Sequence, residues 1–224
     1  MTRRLRVTWP DPRPFEAHPD PFRVLAASDE PDRFLDDERN RAALGHVDLV
    51  VGCGDLAPER IGFLGDAFGA PVIFVRGNHD RGGAWRDPAH VPVPSSGTDT
   101  RSFRPFPLLA LPWPGRESDA ARRSDGTGWT QVVTAAGPWL LRPPAPSIVV
   151  SHAPPLGAND NPADPYHRGF AAYRFVLDRL RPPLWLHGHA ALAAASGWHC
   201  RHGATTLVNV TGSVLVEIVP PARP

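Results

Sequence analysis

Five apolar runs in the sequence end in polar residues of one chemical kind: Asp29, Asp55, Asn78–His79, His152 and His189. Carboxylate, amide oxygen and imidazole together form an oxygen–nitrogen donor set. Such a set suits Mn, Fe, Zn or Ni better than Ca or Mg alone, and it lacks the thiolates of a structural zinc site. Residues this far apart in sequence can share an ion only if the chain ends converge. In open α/β sheets the carboxyl ends of the strands line the binding crevice, so a donor placed just after each strand is positioned to do this.

The elements that would carry these donors are legible. Phe22–Ala27, Asp48–Cys53, Pro71–Val75, Ser147–Val150 and Leu184–Leu186 read as short strands, mostly apolar at successive positions as in a sheet buried on both faces. Pro107–Leu111 reads as a further strand. Pro58–Phe68 suits a helix with proline in its first turn, Phe170–Leu180 a second and Trp129–Leu141 a third. Strand, helix, strand with a polar cluster after each strand is a βαβ signature. Residues 81–106 are expected to be irregular, Ala153–His167 to be a long loop, and Thr205–Val210 with Ser213–Ile218 to form a β-hairpin around Thr211-Gly212. Residues 1–20 read as an N-terminal arm or strand fragment, and the 224 residues as one domain.

Composition narrows the function classes. The 24 basic residues, all Arg, balance 23 acidic ones to a formal charge of +1, which argues against nucleic acid or anionic membrane binding by bulk charge. The abundance of Arg without Lys, beside many Ala, Pro and Gly, reads as GC-rich bacterial coding. Two cysteines make no disulfide framework, and no apolar run reaches the ~18 residues of a membrane span. The basic N-terminus has no apolar core behind it. The expected setting is therefore cytoplasmic.

The motifs Gly54-Asp55, Gly77-Asn78-His79-Asp80, Ser151-His152 and Gly188-His189 stand in an order that resembles the calcineurin-like metallophosphoesterases. The closing Val208-Asn-Val-Thr-Gly212 segment resembles that family too. The resemblance implies an α/β fold: a four-layer α-β-β-α sandwich of two mixed sheets flanked by helices. It implies that Asp55 bridges two metal positions, that Asn78, His152 and His189 complete the second, and that Asp29 contributes to the first. It also implies that His79 acts as general acid or stabilises phosphoryl oxygens, with Asp80 orienting its ring. The implied reaction is hydrolysis of a phosphodiester or phosphomonoester by a water ionised at the metal.

Two departures touch the first metal position. The family's Asp-x-His appears as Asp29-Glu30-Pro31, and its Gly-His-x-His as Gly188-His189-Ala190-Ala191. One tightly held divalent ion, with a second weak or absent, is the expectation. Glu30, Asp32, His187, His199 and His202 are the residues that could substitute; a register shift would make His187 and His189 the pair. Arg76 and Arg168 could contact phosphate, though surface ion pairs account for them equally well. His167 lies in a loop that could form the substrate rim. The expected partner is a small phosphorylated substrate. The competing reading is a non-catalytic metal-binding or scaffold protein on the same fold.

Overall fold

The computed structural model describes residues 2–17, 19–30, 32–80, 82, 85, 94–99, 105–115, 124–144, 146–192 and 197–222. In chain order the strands are β1 (Arg3–Thr8), β2 (Phe22–Ser28), β3 (Leu49–Gly52), β4 (Val72–Phe74), β5 (Gly97–Asp99), β6 (Leu108–Leu111), β7 (Ile148–Ser151), β8 (Leu184–His187), β9 (His199–His202), β10 (Thr205–Asn209) and β11 (Gly212–Val219). The helices are α1 (Glu38–Leu44), α2 (Pro58–Phe68), α3 (Asp125–Leu141) and α4 (Ala171–Leu180).

Two mixed sheets result, ordered β1-β11-β2-β3-β4 and β5-β6-β7-β8-β10-β9. In the first, β2, β3 and β4 run parallel, as the βαβ pattern requires, and β11 runs antiparallel to β2. In the second, β6, β7, β8 and β10 run parallel. Side chains alternate between the faces of a strand, and here both faces are buried. Val24 and Ala26 of β2 meet Ile148, Val150, Leu184 and Leu186 of the opposing sheet. Leu25 and Ala27 point the other way, into a layer with Leu44 of α1 and Ile61 and Leu64 of α2. On the second sheet, Val149 and Trp185 pack under Val132 of α3 and Tyr173, Val176 and Leu177 of α4. Three apolar interfaces between four layers, two of sheet and two of helix, make the α-β-β-α sandwich that the resemblance implies.

One expectation fails. Thr205–Val210 and Ser213–Ile218 do not pair as a hairpin. β10 pairs with β8 and β9, whereas β11 lies in the other sheet between β1 and β2. The chain changes sheet at Thr211-Gly212. All five residues of β10, and six of the eight in β11, are buried. A two-stranded hairpin cannot cover both faces of its strands, but two central strands in facing sheets can. The N-terminal residues supply β1, an edge strand parallel to β11. Helix α1 escapes sequence reading because, among its residues, only Leu44 is buried. The expected loop over residues 81–106 falls largely outside the described residues. No helix among the described residues is long and apolar enough to cross a membrane.

Candidate metal centre

The loops after β2, β3, β4, β7 and β8 meet at one rim of the sandwich. Where the chain leaves β2, β3 and β8 it must turn at once, and Asp29, Asp55 and His189 all adopt left-handed backbone angles (φ 60°, 56° and 63°). Such angles cost free energy in residues other than glycine, and they concentrate where function over-determines the backbone. The crossing is tight: a Cβ on Gly188 would overlap Ser28 Oγ and lie 2.5 Å from Asp29 Oδ2.

The side chains that these turns present form one donor set. Ligand atoms of Asp55, His152 and His189 lie within 4.8 Å of one another. His152 is fully buried and oriented from behind, its Nδ1 2.7 Å from the carbonyl of Cys53. That bond places the proton on Nδ1, so Nε2 faces forward, 2.8 Å from Asn78 Oδ1 and 3.3 Å from Asp55 Oδ2. Burial by itself would depress the His152 pKa; the Asp55 and Asp29 carboxylates overcome this and raise it to about 9. Burial tends to raise Asp55, but contact with His152 lowers it on balance. The two therefore form an ion pair when no cation takes the proton's place. His189 is held at Nε2 by the carbonyl of Tyr166 at 3.0 Å, which leaves Nδ1 as its available donor. Burial, with cationic His152 alongside, pushes its pKa down to about 3, so the ring is neutral and can ligate. A carboxylate, an amide oxygen, the neutral His189 ring and the His152 ring once it gives up its Nε2 proton, all orientated, fit a divalent first-row ion.

The other expected residues are placed differently. His79 is exposed; its main-chain N–H donates to Asp55 Oδ1 at 2.8 Å. Asp80 does not orient the His79 ring. Its Oδ2 accepts the main-chain N–H groups of Asp55 (2.8 Å) and Gly77 (2.7 Å), clamping the loops after β3 and β4 together. The Asp80 side chain turns inward and is 5% exposed, and that burial lifts its pKa to about 6. Asp29 lies outside the three-residue group. Its Oδ2 accepts the His189 N–H at 3.0 Å and the Thr211 hydroxyl at 3.2 Å, so it anchors the turn that presents His189. Pro31 lies outside the described residues, and Ala191 is exposed.

None of the substitutes enters the group. Glu30 is exposed, and Asp32 bonds Thr2 Oγ1 and the N–H of Phe34. His187 is buried in register with Trp185, on the helix side of β8, its pKa pushed down to about 4 by burial. His202 pairs with Asp178 at 2.9 Å, and His199 packs on Trp198. Arg76 is turned away: its guanidinium donates to the Trp85 carbonyl at 3.1 Å and lies over that ring, in the layer beneath α2. Arg168 is exposed. His167 borders it, its ring 5.1 Å from that of His189.

Two further residues border the centre: Trp113, which the sequence offers as a wall residue beside its default core role, and Tyr166, which escapes sequence reading as a site residue. The Trp113 ring packs 4.8 Å from His189 and 5.9 Å from His152, walling the centre. Tyr166 places its hydroxyl 2.9 Å from Asn78 Nδ2 and 3.4 Å from His79 Nε2. It sits among Asx residues that read as a turn-rich connection, and no local pattern marks it.

Known structures share the fold. One solved structure superposes with a TM-score of 0.63 at 18% identity, covering 88% of this chain and 95% of its own. TT1561 of Thermus thermophilus gives 0.56 at 16%, covering 86% and 90%. Vacuolar Protein Sorting 29 from Cryptosporidium parvum gives 0.42 at 15%, covering 86% and 75%. No curated protein matches in sequence. The profile of the calcineurin-like phosphoesterases matches residues 22–191, a span that holds every donor described above, and the chain belongs to that family.

Proposed function

We propose that the chain is a metal-dependent phosphoesterase acting on a small phosphodiester or phosphomonoester. One observation carries the reading: donor atoms of Asp55, His152 and His189 converge within 4.8 Å beside an exposed histidine, His79. A divalent ion (Mn, Fe, Zn or Ni) held by Asp55, Asn78, His152 and His189 would supply Lewis-acid charge and a water that ionises near neutral pH. The chain's own residues do the rest. Asp55 fixes the His79 backbone, which sets that imidazole at the open side of the centre. There it can protonate a leaving oxygen or donate to a phosphoryl oxygen. Asp80 holds the two loops in register, and Trp113 shields the histidines from water. One ion held tightly and a second weakly or not at all fits the employment of Asp29 as an anchor and the alanine at 191.

The test is hydrolysis of bis(4-nitrophenyl) phosphate and 4-nitrophenyl phosphate with Mn²⁺, Zn²⁺ or Mg²⁺ added in turn. Turnover that falls at least about 100-fold in His79→Ala supports the reading. If no ion gives His79-dependent turnover, the non-catalytic metal-binding or scaffold reading replaces it. The same purified protein should carry one tightly bound ion, rising to two in the Pro31→His/Ala191→His double variant. An unchanged content would show that other residues already fill the first position.

A further inference from the structure

We propose that Tyr166 is a positioning residue of this centre, setting the Asn78 ligand and the His79 ring through its hydroxyl and the His189 ligand through its carbonyl. The proposal rests on the metal-centre reading above. Tyr166 is itself held in place: its N–H donates to Asp164 Oδ1 at 2.9 Å, and the other Asp164 oxygen meets His167 Nδ1 at 2.5 Å. The loop behind it is tied down by Asp160 Oδ2, which accepts the Gly169 N–H at 2.8 Å.

From this platform Tyr166 reaches three functional side chains. Its carbonyl accepts from His189 Nε2, so the proton of that ring stays on Nε2 and the lone pair of Nδ1 is free for the ion. Its phenol oxygen accepts one hydrogen of the Asn78 amide nitrogen, which leaves the amide oxygen on the side of His152 and the ion. The same hydroxyl is within 3.4 Å of His79 Nε2. Among the described residues it is the side-chain partner of that ring, the place that Asp80 does not take. A phenol can accept from Asn78 and still exchange a hydrogen bond with the imidazole, so one group orients a ligand and the candidate acid together.

Tyr166→Phe isolates the hydroxyl, because the carbonyl and the ring remain. The residue is 36% exposed on a loop, so the variant should fold, with its metal-free unfolding midpoint lowered by no more than about 2–4 °C for the one hydrogen bond lost from Asn78. Co²⁺ serves as the probe. The expected result is about tenfold weaker Co²⁺ affinity, a changed visible absorption band, and a fall in kcat on bis(4-nitrophenyl) phosphate with KM within twofold. Co²⁺ affinity within twofold of wild type with an unchanged band would overturn the proposal. So would a loss of affinity seen in Tyr166→Ala but not in Tyr166→Phe, since that would assign the effect to the ring. If the wild type itself binds no Co²⁺, the metal-centre reading falls first and takes this proposal with it, whereas normal wild-type binding with an indifferent Tyr166→Phe defeats Tyr166 alone.

Discussion

Replacing Gly77 with alanine tests whether the Asp55 carboxylate stands where the centre needs it. Gly77 has no left-handed backbone angle, so an alanine there introduces a methyl group and no backbone strain. That methyl would overlap Asp55 Oδ1 and lie 2.6 Å from Asp55 Cγ and 2.7 Å from Asp55 N, where ordinary contact begins at 3.4 Å. The carboxylate must therefore retreat by more than about 0.8 Å, the shortfall between 2.6 and 3.4 Å at Cγ, because its Oδ1 lies closer still. Such a shift would stretch the 2.8 Å bond to the His79 N–H past 3.5 Å and disturb the 2.7 Å bond between the Gly77 N–H and Asp80. Two hydrogen bonds to charged acceptors, at about 1.5 kcal/mol each, put the cost near ~3 kcal/mol. For a chain of this size that corresponds to a drop of about 6–12 °C in Tm. Gly62→Ala is the matched control. Gly62 lies in α2 with nothing within 4 Å of the added methyl, so alanine should stabilise by about 0.5–1 kcal/mol. Urea unfolding of both variants in chelator, followed by Co²⁺ titration, reads the two effects. A Gly77→Ala protein with wild-type stability and wild-type Co²⁺ affinity would refute the placement of Asp55.

Two further outcomes follow from the buried charges. Burial raises the folded-state pKa of Asp80 from 3.8 to about 6, so the folded chain holds that proton more tightly than the unfolded one. The resulting stability is full below pH 3.8 and is lost as pH rises through about 6, a change of about 3 kcal/mol at most. Asp80→Asn keeps an oxygen for both N–H groups but cannot ionise. In metal-free protein its stability relative to wild type should therefore rise between pH 4 and pH 6.5, and a flat difference by urea unfolding would contradict the burial argument. His152 must give up its Nε2 proton to ligate, and with a pKa of about 9 it carries that proton at pH 7. Affinity for Zn²⁺ or Mn²⁺ should thus increase about tenfold per pH unit from pH 7 towards 9, with close to one proton released. Calorimetry in two buffers of different ionisation enthalpy measures the proton, and none released at pH 7 would count against His152 as a ligand.

The sequence alone marked the candidate donors and determined most of the elements beneath them. The apolar runs Phe22–Ala27, Asp48–Cys53, Ser147–Val150 and Leu184–Leu186 match strands of the structure to within a residue or so, and the span expected for α2 matches Pro58–Phe68. This is because an apolar run bounded by Gly, Pro or Asp is a local signal, and a ligand placed directly after a strand inherits that strand's position. What each donor does was decided only by tertiary structure. Asn78 meets Tyr166 across 88 residues and His189 meets Asp29 across 160, and no local pattern records such pairs. The sheet assignment of β10 and β11 was hidden for the same reason. Two adjacent apolar runs look alike whether they pair with each other or each with a distant strand, and only the burial of both faces in a closed sandwich selects the second arrangement.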